Sequence, residues 1–218
     1  MLFLNILKLR PFLKYTNLIF DFDGVILDSN NIKKFAIREA AKDILVESTL
    51  EEFVEYFTKY NGIPRETKIS KFIPKIHYNY VLQNYERLIN KELCSANLTE
   101  GVEKFIEKLY LNQKSLYVLS GGKRSEVIEI LKNKDLYKFF KNIYGGPEDK
   151  YSNILNINLD EPTIFFGDSF VDYKLSLDKN IDFCFIYGYS NITNFKDKIK
   201  EWQIKFFSKN FTELNCYD

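Results

Sequence analysis

Two hydrophobic periods alternate along this 218-residue chain. Apolar positions near 3–15 recur at helical spacing and predict a short amphipathic helix packed on the main body. Asn17-Leu18-Ile19-Phe20-Asp21-Phe22-Asp23-Gly24 then reads as a buried strand that runs into acidic residues. From about 30 to 98 the pattern is helical, with stripes such as Phe35, Ile37, Ala41, Ile44, Leu45 and Phe53, Tyr56, Phe57, and core faces at Phe53, Phe57 and Phe72, Ile76. One break falls at Asn61-Gly62-Ile63-Pro64. After Thr99, read as an N-cap with Glu103 nearby, helix and strand alternate. Strands are expected at 115–120, 142–145, 163–166 and 181–187, with helices at 102–112, 124–132, after Lys150, at 171–179 and at 193–207.

Alternating apolar strands and helices predict an α/β fold: a Rossmann-like parallel sheet covered on both faces, with right-handed crossovers. The helical block interrupts that alternation. It is expected to form a separate small unit, residues 30–98, inserted into a core made of 1–29 and 99–218.

Composition adds limits. A content of 45% hydrophobic, 17% aromatic and 28% charged residues fits a globular protein, not a disordered one. Lys+Arg 31 against Asp+Glu 30 gives a net charge of +1, so no global field favours nucleic acid or an anionic membrane. Cys94, Cys184 and Cys216 form no CxxC pair and no zinc-like spacing with His77, which reads as reduced thiols in a cytoplasmic protein. Cys184 lies in an apolar run and reads as core. The opening Met1–Leu7 run is followed, not led, by Lys8 and Arg10 and is broken by Pro11, unlike a signal peptide. No run reaches membrane-spanning length, and a monomer is compatible with the sequence.

The chemistry collects at the carboxyl ends of the expected strands, where ligands of such sheets sit. Asp21 and Asp23 follow the first, Ser120 the second, Lys150 the third, and Asp168 the fourth, with Asp172 just beyond. Residues two apart in a strand point the same way, so Asp21 and Asp23 present carboxylates together. Carboxylates that close repel unless a cation or proton is shared. Asp168 and Asp172 add two more acids from a neighbouring strand. An oxygen-only donor set without His or Cys favours Mg²⁺ over zinc. A carboxylate can attack phosphorus while a second carboxyl moves protons, and the cation and a lysine neutralise the phosphoryl group. Gly24 and Gly121-Gly122 let backbone approach a phosphate closely.

These residues resemble the haloacid dehalogenase superfamily of phosphatases. Its DxDG motif with a following Asp-Ser matches Asp21-Phe22-Asp23-Gly24 and Asp28-Ser29; its apolar strand ending in Ser or Thr matches Tyr117-Val118-Leu119-Ser120. Its lone Lys matches Lys150, and its GD with a second Asp matches Gly167-Asp168 and Asp172. The resemblance implies Asp21 as nucleophile, Asp23 as general acid/base, and Ser120 and Lys150 as phosphate holders. It implies Mg²⁺ on the Asp21 carboxylate, the Asp23 carbonyl and Asp168, with Asp172 supporting. The block 30–98 matches the family's helical cap between its first and second motifs. An acid at Asp23 points to phosphate-ester chemistry, because dehalogenases and phosphonate hydrolases of the superfamily lack it.

Tyr60–Lys68 is similar to a cap loop of phosphatases from bacterial surface-carbohydrate pathways, with Pro64 where Ser is common. It names Arg65 and Lys68 as substrate residues, Arg65 as a clamp for a second anionic or polar group, and a small sugar or amino-alcohol phosphate as substrate. For Arg65, Lys68, Asn30 and Lys33 a solvated face is an equal expectation. The rival functions are a sugar phosphomutase of the same superfamily and a non-catalytic binding or regulatory protein on this fold.

Overall fold

The computed structural model describes residues 10–216. The helix expected at 3–15 lies largely outside the described residues, which begin with a short 3-10 turn at Arg10–Phe12. One seven-stranded sheet organises the rest. In chain order its strands are β1 (Asn17–Phe20), β2 (Ser115–Lys123), β3 (Asn142–Gly146), β4 (Thr163–Gly167), β5 (Asp182–Ile186), β6 (Phe206–Ser208) and β7 (Asn215–Cys216). Their spatial order is β3-β2-β1-β4-β5-β6-β7. All neighbours pair in parallel except β6 and β7. This is the expected Rossmann-like α/β sheet, and β1 at its centre is fully buried on both faces.

The helices that cover it are α5 (Val102–Leu111), α6 (Arg124–Asn133), α7 (Lys150–Asn153), α8 (Phe170–Asp178) and α9 (Phe195–Glu201). Before them come α1 (Asn30–Ala41), α2 (Glu47–Lys59), α3 (Arg65–Phe72) and α4 (Lys75–Ser95), the block between β1 and β2. Pro64 and Pro74 stand at the N-caps of α3 and α4, where a fixed φ and a missing N–H cost nothing. Phenylalanines fill the centre: Phe20 stacks on Phe166 at 4.8 Å, and Phe105 meets both Phe12 and Phe211. Cys184 is buried among them.

Four local expectations fail for physical reasons. Thr99 does not cap α5; its hydroxyl donates to the Val25 carbonyl, and Gly101, with φ of 82°, takes the cap position. The helix expected over 193–207 stops at Glu201, because Phe206–Ser208 is drawn into the sheet beside β5. Phe35 is 62% exposed, since α1 buries the face made by Ala36, Ile37, Ala40 and Ala41. Ile76 is 84% exposed, one residue out of the four-residue stripe Val81, Tyr85, Ile89 and Leu93 that α4 turns inward.

Candidate active site

The carboxyl ends of β1, β2 and β4 open onto one crevice, and the acids there are buried. β1 delivers Asp21, of which Oδ1 accepts from the Phe22 amide at 2.7 Å and lies 2.7 Å from Lys150 Nζ. Lys150 opens α7, which Asp149 caps by accepting from the Ser152 amide, so the lysine enters the crevice from the helix start. Its ammonium also donates to Asp172 Oδ1 at 2.6 Å, and the whole residue is 1% exposed. Burial alone would strip its proton, but Asp172 and Asp21 together hold its pKa above the ordinary lysine value.

Asp172 belongs to a capping box. Its Oδ2 accepts from the Ser169 amide and hydroxyl, and its own amide donates back to Ser169 Oγ. Both of its oxygens are therefore held, one by a helix start and one by Lys150. Asp168, one residue past β4, accepts at Oδ2 from Asn30 Nδ2 at 2.7 Å. Asp168 Oδ1 is buried with no hydrogen-bond partner.

One ligand oxygen from each of Asp21, Asp168 and Asp172 lies within 4.8 Å of the others. Burial, and then the neighbouring carboxylate Asp172, pushes Asp21 up to about 8 against the pull of Lys150. Burial followed by Asp21 and Asp172 also raises Asp168 far above the carboxylate range. One lysine is too little positive charge for three buried acids. A divalent cation would supply the rest, and the orphaned Asp168 oxygen with an all-carboxylate donor set fits a hard ion such as Mg²⁺. Gly24 leaves room for this arrangement: at φ of 76° its missing Cβ would collide with the Asp168 carboxylate and the Asn30 amide.

Asp23 takes its partners from α1 and the turn before it. Its Oδ1 accepts from Ser29 Oγ at 2.6 Å and its Oδ2 from Lys33 Nζ at 2.5 Å. Burial opposes ionisation, but the Lys33 charge and these hydrogen bonds outweigh it and hold Asp23 below the usual carboxylate range. Ser120 is fully buried at the end of the apolar part of β2, its Oγ accepting from the Gly122 amide at 3.0 Å. A Cβ on Gly122 would stand 3.3 Å from Ser120 Oγ, 3.7 Å from Lys33 Nζ and 3.9 Å from Asp23 Oδ2, so these three groups ring one small space.

The segment between α2 and α3 closes over the crevice. A Cβ on Gly121 would lie 2.8 Å from the Gly62 backbone, and one on Gly62 would lie 2.5 Å from Val171 Cγ1 and 3.3 Å from Lys150 Cδ. Asn61 Nδ2 donates to Asn30 Oδ1 at 2.7 Å. A cavity of about 20 Å³ remains, lined by Asp23, Lys33, Phe57, Arg65, Lys68, Tyr85 and Gly121-Gly122.

The geometry thus brings Asp21, Asp23, Gly24, Gly121, Ser120, Lys150, Asp168 and Asp172 to one place, with Lys68 beside the cavity. Arg65 is different: its guanidinium is gripped by both oxygens of Glu126, with Glu86 at 3.6 Å, so its charge is committed within the protein. Lys33 and Asn30 contact two of the acids directly, yet their place in the sequence gave no more than an even expectation. The Asp-Ser after DxDG carried the available signal, since it fixes where α1 begins and so which side chains of its first turn face the crevice.

No curated protein matches this sequence. Solved structures do match in shape. A haloacid dehalogenase-like hydrolase from Streptococcus pneumoniae is 20% identical with a TM-score of 0.70, the match covering 91% of this chain and 96% of that one. CbbY from Rhodobacter sphaeroides, in complex with phosphate, is 13% identical with a TM-score of 0.68 over 91% and 96% of the two chains. The HAD-hydrolase YfnB from Bacillus subtilis, bound to magnesium, is 20% identical with a TM-score of 0.59 over 88% and 100%. At such identities these likenesses speak for the fold. The family model of the haloacid dehalogenase-like hydrolases matches residues 18–186, from β1 to the end of β5, and on that match the chain belongs to this hydrolase family.

Proposed function

We propose that the protein is a Mg²⁺-dependent phosphatase that hydrolyses a small phosphomonoester through an aspartyl-phosphate on Asp21. The observation that supports this most is the buried set Asp21, Lys150, Asp172 and Asp168, short of positive charge and with one oxygen of Asp168 unclaimed. Asp21, Asp168 and the Asp23 carbonyl would hold Mg²⁺, Asp172 acting chiefly through Lys150. When bound, the ion supplies positive charge against the phosphoryl oxygens.

The residues of the chain do the remainder. Lys150 and the Phe22 amide fix Asp21 Oδ1, which leaves Oδ2 to attack phosphorus. The bond from phosphorus to the leaving alcohol breaks, and Asp23 hands that oxygen a proton. A water then attacks phosphorus, Asp23 takes the water's proton, and the bond to Asp21 breaks to release phosphate. Lys33 favours the ionised form of Asp23 needed in the second step, while an arriving phosphoryl dianion pushes the other way. Ser120 and the Gly121-Gly122 backbone receive the phosphoryl oxygens. The block α1–α4 acts as the cap: it opens for entry and, on closing, excludes water.

Charge narrows the substrate classes read from the cap loop. An amino-alcohol phosphate would bring its ammonium against Lys33 and Lys68, whereas a neutral sugar or an acid would not. The test is hydrolysis of a chromogenic aryl phosphate: turnover stops with EDTA and returns with Mg²⁺, and metal-independent turnover contradicts the proposal.

A further inference from the structure

Two ion pairs run from α3 and α4 of the helical block to the junction of β2 with α6. Arg65, the first residue of α3, grips both carboxylate oxygens of Glu126 in α6, with Nη1 to Oε1 at 2.8 Å. Glu86 in α4 accepts from Lys123, the last residue of β2. The four charges form one chain, because Glu86 Oε1 also lies 3.6 Å from Arg65 Nη1. Beside them the seam is open: a cavity of about 280 Å³ lies between α4 and α6, bordered by Glu86, Asn90, Lys123, Glu126 and Glu129. Contacts of this polar kind between two parts of a chain are the ones that come apart.

Each side of the seam carries one cation and one anion. Arg65 and Glu86 both belong to the block, where the guanidinium also lies over the Tyr85 ring, 5.3 Å from its centroid. Lys123 and Glu126 both belong to the core, three residues apart at the start of α6, a spacing that lets them meet. Parting the seam therefore strands no charge. Arg65 falls back on Glu86, and Lys123 on Glu126. A charge that loses its partner costs most where nothing replaces it, and here each has a replacement at hand.

We propose that Arg65, Glu86, Lys123 and Glu126 form a partner-exchanging latch. Crosswise pairs hold the block on the sheet, and pairs within each side take up the same charges when the block lifts. The latch works on the protein alone, with no ligand bound, and so goes beyond the phosphatase reading without depending on it. Its two crosswise pairs are unequal. Arg65 is 4% exposed and its fork meets a carboxylate with two bonds, the strong form of such a pair. Lys123 is an exposed lysine on a single oxygen, the weak form. Glu126 therefore carries most of the hold, since it is the partner that Arg65 gives up altogether on lifting. Glu86 stays within reach of Arg65 in both states.

Hydrogen exchange read by peptide mass spectrometry tests this on the full chain in EDTA without substrate. The peptide over residues 60–64, seated on the Gly121 backbone, reports lifting, and those of β1 and β4 report global unfolding. Glu126→Gln speeds exchange at 60–64 by about tenfold and leaves β1 and β4 protected. Glu86→Gln does not speed it, because the lifted state loses its Arg65 pair just as the seated state loses its Lys123 pair. Should Glu126→Gln also expose β1 and β4, Arg65→Lys, which keeps the charge and loses the fork, takes its place with the same expectation. Unchanged exchange at 60–64 in the folded Glu126 or Arg65 variant overturns the latch. Acceleration by Glu86→Gln as large as that by Glu126→Gln overturns the exchange of partners and leaves two independent pairs. Neither result touches the phosphatase reading, which turnover with and without Mg²⁺ decides.

Discussion

Asn30 joins the closing loop to the acid cluster: its Nδ2 holds Asp168 Oδ2 at 2.7 Å while its Oδ1 accepts from Asn61 at 2.7 Å. Asn30 also donates to the Tyr189 carbonyl, so its amide orientation is fixed on three sides. The free oxygen of Asp168 is thus aimed by a residue of α1, and α1 in turn is tied to the loop over the site.

A metal site whose supporting hydrogen bond is removed loses affinity by about 10–100-fold. Asn30→Ala should weaken Mg²⁺ binding by an amount in that range, read by titration calorimetry without substrate. Asn61→Ala, one bond further out, should weaken it less. Equal Mg²⁺ affinity in Asn30→Ala and wild type would contradict the role given to Asp168.

Lys150 stands between two buried carboxylates, so its loss leaves both uncompensated. Lys150→Met should lower the unfolding free energy by about 3–5 kcal/mol, the range found when one partner of a buried ion pair is removed. Asp172→Asn should destabilise as well and also loosen Lys150. Urea unfolding in EDTA checks this, and a change under about 1 kcal/mol would show that the pairs contribute little.

The backbones of Gly62 and Gly121 meet so closely that a side chain on Gly121 has no place to go. Gly121→Ala should push the loop off the crevice and cut kcat/KM on a small phosphomonoester by roughly tenfold or more, with a stability cost of about 1–3 kcal/mol. Unchanged kcat/KM would mean that the seated loop is not the working state.

The acidic tips of β1 and β4 were legible because a two-residue apolar period fixes where a strand ends, and the ends of a parallel sheet share one edge. Lys150 was legible for the same reason, through the helix start that follows β3. Lys33 and Asn30 were not, since helical spacing tells which residues share a face but not toward what that face turns. Arg65 shows the same limit from the other side: it lies beside the cavity, but its partner Glu126 is 61 residues away on α6. The end of the sheet was misread because β6 and β7 are too short to show a period, and only the neighbouring edge of β5 makes strands of them.

Lys68 gives the protein a pH dependence with a definite sign. Its folded pKa lies below the ordinary 10.5, so between those two values the unfolded chain binds more protons. Stability therefore rises with pH across that window, and the full penalty applies below the folded value. Lys68→Met should be more stable than wild type at neutral pH, with the gap narrowing as pH climbs toward 10.5. Parallel unfolding curves with a pH-independent gap would show that Lys68 titrates normally.

The central claim is that Asp21 carries the phosphoryl group, and chemical trapping tests it directly. Turning over an aryl phosphate with Mg²⁺, quenching in acid and reducing with borohydride converts an acyl phosphate to homoserine, which peptide mass spectrometry locates. The account predicts homoserine at position 21 and at no other acid, absent without Mg²⁺ and absent in Asp21→Asn. Trapping at another carboxylate, or full turnover by Asp21→Asn, would contradict it.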